Sequence, residues 1–198
     1  MIVVFGASYA KAWPIANIAG LPVVNAGVGG DETRNMLERY ERDVLAHAPR
    51  YVLIWGFIND YTRNPAAKHP QVAAAIEQRI TEMVDKAIAR GIQPVLGTEV
   101  TMPAATSAWG ELLASIYRSM GRTGYQDRIN TQVMNSNRWL KQFAAQRNLA
   151  VLDLQRALAP NGFYRKREYS LPDGSHLTPA AYAALTEFVE TQEGLFSK

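Results

Sequence analysis

Ile2-Val3-Val4-Phe5-Gly6-Ala7-Ser8 opens the chain with β-branched and aromatic residues that run straight into glycine, alanine and serine. No polar residue alternates through the run, which is the pattern of a strand covered on both faces in a parallel sheet. Runs of the same kind recur at 21–24, 51–55, 94–97 and 150–154. Between them the apolar residues change to a helical period. Residues 33–46 align Met36, Leu37, Tyr40, Val44 and Leu45, and residues 72–90 align Ile76, Ile80, Met83, Val84, Ala87 and Ile88 ahead of Gly91. Two more helices are expected at 128–147 and 180–189, the last after Thr178-Pro179, a hydroxyl cap followed by a proline whose fixed φ suits the first helical position. Strand and helix alternate throughout, so the expected fold is α/β: a three-layer α/β/α sandwich on a five-stranded parallel sheet with right-handed crossovers.

The segment 102–125 interrupts this rhythm with Pro103, Trp109, Gly110, Gly121 and Gly124. It is too long for a simple connection and falls after the fourth strand, where loops build sites, so it reads as a partly helical flap within one domain spanning 1–198.

Composition narrows the function. The chain has 198 residues, 47% apolar and 20% charged, with a net charge of +3 and the two signs mixed along its length, which argues against a nucleic-acid partner. Arg165-Lys166-Arg167 reads as a solvated loop, with contact to an anion as the alternative. The absence of cysteine excludes disulfides, thiolate nucleophiles and cysteine-bound metals. His47 and His69 form no metal-ligand spacing with His176, so neither a metal nor another cofactor is expected. Residues 12–30 carry no charge, but prolines and glycines break them up, and they do not read as a membrane span. A strand that starts at once after Met1 leaves no room for a signal sequence, and the chain as it stands reads as cytoplasmic.

In such a sheet, ligands bind beyond the carboxyl ends of the strands. Those ends carry Gly6-Ala7-Ser8, then the glycine-rich stretch 25–31, then Gly56-Phe57-Ile58-Asn59-Asp60; near the C-terminus stands Asp173-Gly174-Ser175-His176-Leu177-Thr178-Pro179. Taken singly, each is an ordinary turn or cap. Together, in this order, they are the parts of an acyl-transfer site: a hydroxyl at Ser8, a base at His176 with a carboxylate three residues before it, and oxyanion donors in the amides of Ser8 and Gly30 and the side chain of Asn59. Trp55 reads as core, whereas Trp13, Phe57, Tyr61 and Trp109 are candidates for the walls of a hydrophobic substrate pocket.

These blocks resemble the SGNH hydrolases, the GDSL-type esterases and lipases, over nearly the whole chain. The resemblance implies Ser8 as nucleophile, His176 as base, Asp173 as its orienting partner, Gly30 and Asn59 in the oxyanion hole, a flavodoxin-like fold and no metal. Two positions depart from it: the family usually has aspartate where Ala7 stands and often glycine where Phe57 stands. The expected activity is hydrolysis of small-molecule carboxylic esters through an acyl-enzyme. A sugar O-deacetylase or a thioesterase would use the same site, and a non-catalytic binding module is the reading from another class.

Overall fold

The computed structural model describes residues 1–160 and 162–196. At its centre lies β1 (Ile2–Gly6), every residue of which is buried. It pairs in parallel with β3 (Leu21–Gly27) on one side and with β4 (Tyr51–Trp55) on the other. β5 (Gln93–Gly97) and β6 (Ala150–Leu152) continue the sheet in parallel beyond β4. The five expected strands are therefore all present. A sixth was not expected: β2 (Asn17–Ile18) pairs antiparallel with β3, giving the order β2-β3-β1-β4-β5-β6. Two residues are too few for any periodicity, and the strand exists because Ala19 and Gly20, both at positive φ, fold the chain back on itself.

The long helices follow their apolar stripes. α2 (Thr33–Asp43) buries Met36 and Tyr40 and ends sooner than expected, its last turn tightening into a 3₁₀ turn at Leu45–His47. α4 (His69–Ala89) buries Ile76, Ile80, Met83, Val84 and Ala87, whereas Ile88, expected on the same stripe, is exposed in the helix's last turn; α6 (Tyr125–Gln146) buries Ile129, Val133, Leu140 and Ala144. α2 and α6 both pack against α4. α8 (Pro179–Glu190) starts as expected, with the Thr178 hydroxyl accepting from the Ala181 N–H. The other α-helices of the described residues are α1 (Ser8–Ala12), α3 (Ile58–Thr62), α5 (Ala108–Ser119) and α7 (Leu154–Leu158). α5 is the helical part of the segment 102–125, and none of its residues is buried. Helices on both faces of the sheet make the three-layer α/β/α architecture.

Candidate active site

The register of three central strands assembles half of the site. Gly6 lies level with Gly27 on β3 and with Trp55 on β4, so the segments leaving these strands emerge side by side. Ser8 follows at once as the first residue of α1, where the helix has no partner for its N–H. Gly6 must lack a side chain: a Cβ there would lie 1.8 Å from the Trp55 carbonyl oxygen. Ala7 is buried and brings no carboxylate to this turn. The polar ends of the strands are held instead by Arg39 of α2. Its guanidinium donates to the Gly6 carbonyl (2.9 Å), the Ala26 carbonyl (2.7 Å) and the Asp31 carboxylate (2.6 Å), with Phe5 packed against its face.

Gly30 ends the second block at φ +84°, a left-handed conformation that glycine adopts without strain. Asn59 sits in the first turn of α3, where its side-chain amide donates to the Asp31 carbonyl at 2.8 Å and so joins the second block to the third. The amide's second hydrogen remains for another acceptor. Asp60 makes the same link from below. Its buried carboxylate accepts from the Thr33 N–H (2.9 Å) and hydroxyl (2.6 Å), and burial pushes its carboxyl up to about 6 despite those donors. Glu99, just past β5 and fully buried, accepts from the N–H groups of Phe57, Ile58 and Val100, and burial raises its carboxyl as well. These N–H groups include the ones that open α3, so Glu99 fixes the turn that presents Asn59.

The other half is a loop. Asp173 accepts from the N–H groups of Ser175 (2.8 Å) and His176 (2.9 Å) with one oxygen and faces His176 Nδ1 at 2.7 Å with the other. The His176 N–H and imidazole hold its carboxyl down to about 2. The loop is tied to α1 by the residue after the serine: the Tyr9 hydroxyl donates to the Ser175 carbonyl at 2.6 Å. Arg165, 1% exposed, closes this clamp by donating to the Tyr9 hydroxyl (3.1 Å), the Gly174 carbonyl (3.0 Å) and the Ser170 hydroxyl (2.9 Å). Neither expectation for the basic run holds at Arg165, which is neither solvated nor open to an anion. Lys166 and Arg167 are exposed and pair with Glu168 and Glu111. Among the described residues, Ser8 Oγ and His176 Nε2 have no hydrogen-bond partner. Ser8 is thus joined to the His176 loop through Tyr9 and not by a direct bond.

Of the four aromatic residues expected to wall a pocket, Trp13, Phe57 and Tyr61 are core side chains. Trp13 donates its indole N–H to Thr186, and the Tyr61 hydroxyl bonds Ser136. The apolar interior behind the strand ends claims these rings. Trp109 alone is on the surface, 68% exposed on α5. Arg39 and Glu99 were not singled out from the sequence, and Arg165 was read only as part of a solvated run, because a buried charge looks like a surface one until its partners are known. Among the described residues no group of three or more His, Cys, Asp or Glu side chains could hold a metal, and no helix is long and apolar enough to cross a membrane.

The model of the GDSL-like Lipase/Acylhydrolase family matches residues 5–184. The lipase/acylhydrolase of Enterococcus faecalis has a similar structure, with a TM-score of 0.68 over 98% of this chain and 95% of its own, at 22% identity. So does Axe2, an acetylxylan esterase of Geobacillus stearothermophilus, with a TM-score of 0.65 over 98% and 94% of the two chains at 17% identity. At these identities the likeness is one of fold. The uncharacterized lipoprotein YqeF of Bacillus subtilis (strain 168) is 28% identical over 96 residues, which span 46% of this chain and 40% of that protein's length.

Proposed function

Because the chain belongs to the GDSL-like Lipase/Acylhydrolase family, we propose that it cleaves carboxylic esters through an acyl-enzyme on Ser8, without a metal. His176 Nε2 takes the Ser8 proton as the oxygen attacks the ester carbonyl, while Asp173 keeps the Nδ1 proton and the ring orientation. The amides of Ser8 and Gly30 and the Asn59 side chain receive the negative oxygen that forms. The tetrahedral species collapses as His176 hands the proton to the leaving alcohol, and water activated by the same imidazole then releases the acid. The segment 102–125, which brings Thr106 against Gly174, is the flap of this single domain.

The observation that carries the reading is the tie between Tyr9 and Ser175, because it draws the neighbours of Ser8 and His176 together across 166 positions of sequence. A panel of p-nitrophenyl esters from acetate to palmitate, run beside an O-acetylated sugar and an acyl thioester, tests it. Ester hydrolysis is expected, insensitive to chelator and abolished by Ser8→Ala. A folded protein inert toward every substrate would favour the binding-module reading, and activity lost to chelator and restored by zinc would refute the metal-free mechanism.

A further inference from the structure

Beside the Gly30 turn lies an open cleft of about 450 Å³ between α2, α3 and α4. Four cationic side chains line it: Arg34 of α2, Arg63 at the end of α3, Lys68 ahead of α4 and Arg79 of α4. Two carboxylates face them, Glu32 and Asp60. They offset only part of that charge: Asp60, which accepts from Thr33 through both of its oxygens, also pairs with Arg79 at 3.4 Å, and Glu32 pairs loosely with Arg63 at 3.9 Å. Among the described residues, Arg34 and Lys68 have no carboxylate partner. Cations held round one concavity raise its potential and favour an anion there.

The cleft also adjoins the proposed oxyanion donors. Arg63 reaches over the Gly30 turn, its Nη2 standing 2.8 Å from where a Cβ on that glycine would be. Asp60, the residue after Asn59, lines the cleft with Asn64, whose amide donates to the Asp60 backbone carbonyl at 2.9 Å. A substrate whose carbonyl oxygen met Gly30 and Asn59 would therefore extend another group toward Arg63 and Lys68 within a few bonds.

We propose that this cleft is a subsite for a negatively charged group on the substrate, a carboxylate or phosphate a few atoms from the ester that is cleaved. The subsite selects anionic esters over neutral ones of equal length, and in this it rests on the ester-hydrolase reading of Ser8. Binding and turnover test it separately. In calorimetry at low salt, inorganic phosphate or succinate should bind saturably to the wild type, with binding weakened at least ~10-fold in Arg63→Ala/Lys68→Ala, whereas glycerol should not bind. Lys86→Ala, on the exposed part of α4, should leave that binding unchanged.

In turnover, kcat/KM for p-nitrophenyl hemisuccinate should exceed that for p-nitrophenyl butyrate by ~10-fold or more, and Arg34→Ala/Lys68→Ala should bring the ratio toward unity. These side chains are exposed or half-exposed, and an unchanged melting temperature would show that the variants fold. Absence of binding by both anions, equal weakening by Lys86→Ala, or a wild-type ratio at or below unity would overturn the subsite. If neither ester is turned over, the esterase reading fails, while the calorimetry still decides whether the cleft takes an anion.

Discussion

Ser8, Gly30 and Asn59 hang from three hydrogen-bonded strands whose ends lie level, whereas Asp173 and His176 stand on a half-exposed loop tied to α1 by Tyr9 and Arg165. The first arrangement is a property of backbone register: a shift of one strand would displace whole ladders, so its geometry is over-determined. The second depends on a few side-chain donors. Under the proposed mechanism, this gives a rigid nucleophile and oxyanion platform and a base whose position is adjustable by single substitutions. The site's weak point should therefore lie in the clamp.

The largest effect is expected from removing the reacting groups. Ser8→Ala or His176→Ala should lower kcat by roughly 10⁴-fold or more with little change in melting temperature, because neither side chain carries packing. Equal losses from either, with no further loss in the double variant, would show that the two halves act as one unit. Asp173→Asn should cost roughly 10³-fold, since an amide no longer enforces the proton on Nδ1. With the Asp173 carboxyl held down to about 2, Asp173 should add no step to the pH–rate profile in the ordinary carboxylate range, and a step there that disappears in Asp173→Asn would contradict this.

The clamp sharpens the contrast between the halves. Arg165→Met deprives the Gly174 carbonyl, the Tyr9 hydroxyl and the Ser170 hydroxyl of a buried donor, so it should destabilise the fold by about 2–4 kcal/mol and lower kcat by ~10-fold. Tyr9→Phe, which removes the bond donated to the Ser175 carbonyl and the one accepted from Arg165, should cost about 1–3 kcal/mol. Arg165→Lys keeps the charge but not the fork, and should recover stability better than rate. Denaturant unfolding read beside kcat checks these values. If Arg165→Met were destabilised yet turned over at the wild-type rate, the clamp would be structural only.

The smallest effect concerns the platform. Asp60, raised from 3.8 to about 6 by burial, holds its proton in the folded state over a range where the unfolded chain has lost it. Its contribution to stability is therefore fully present below the unfolded value and declines as the pH rises through that window. Asp60→Asn cannot titrate, so its melting temperature relative to the wild type should rise between about pH 4 and pH 6. A relative melting temperature that fell over that range would mean that the Thr33 donors outweigh desolvation.

The strands and long helices were legible because each carries a period repeated over many residues; three of the site blocks were legible because strand ends are where an α/β sheet presents chemistry, and the loop block at 173–176 only from its carboxylate–imidazole spacing. β2, α1 and α3 were not, since two to five residues carry no period. Trp13, Phe57 and Tyr61 misled for a related reason: an aromatic residue near a strand end suits either a pocket wall or the core, and only packing decides. Arg39, Glu99 and Arg165 have no local signature. Their partners lie up to 156 positions away, and a charge is read as buried only once those partners are in place.

Active-site labelling addresses the central claim most directly. Wild-type protein treated with a fluorophosphonate should gain one adduct, located by peptide mass spectrometry on Ser8, while His176→Ala labels far more slowly and Ser8→Ala not at all. Folded protein that stays unmodified, or that carries the adduct on another residue, would contradict the convergence of Ser8 and His176 on one reaction centre.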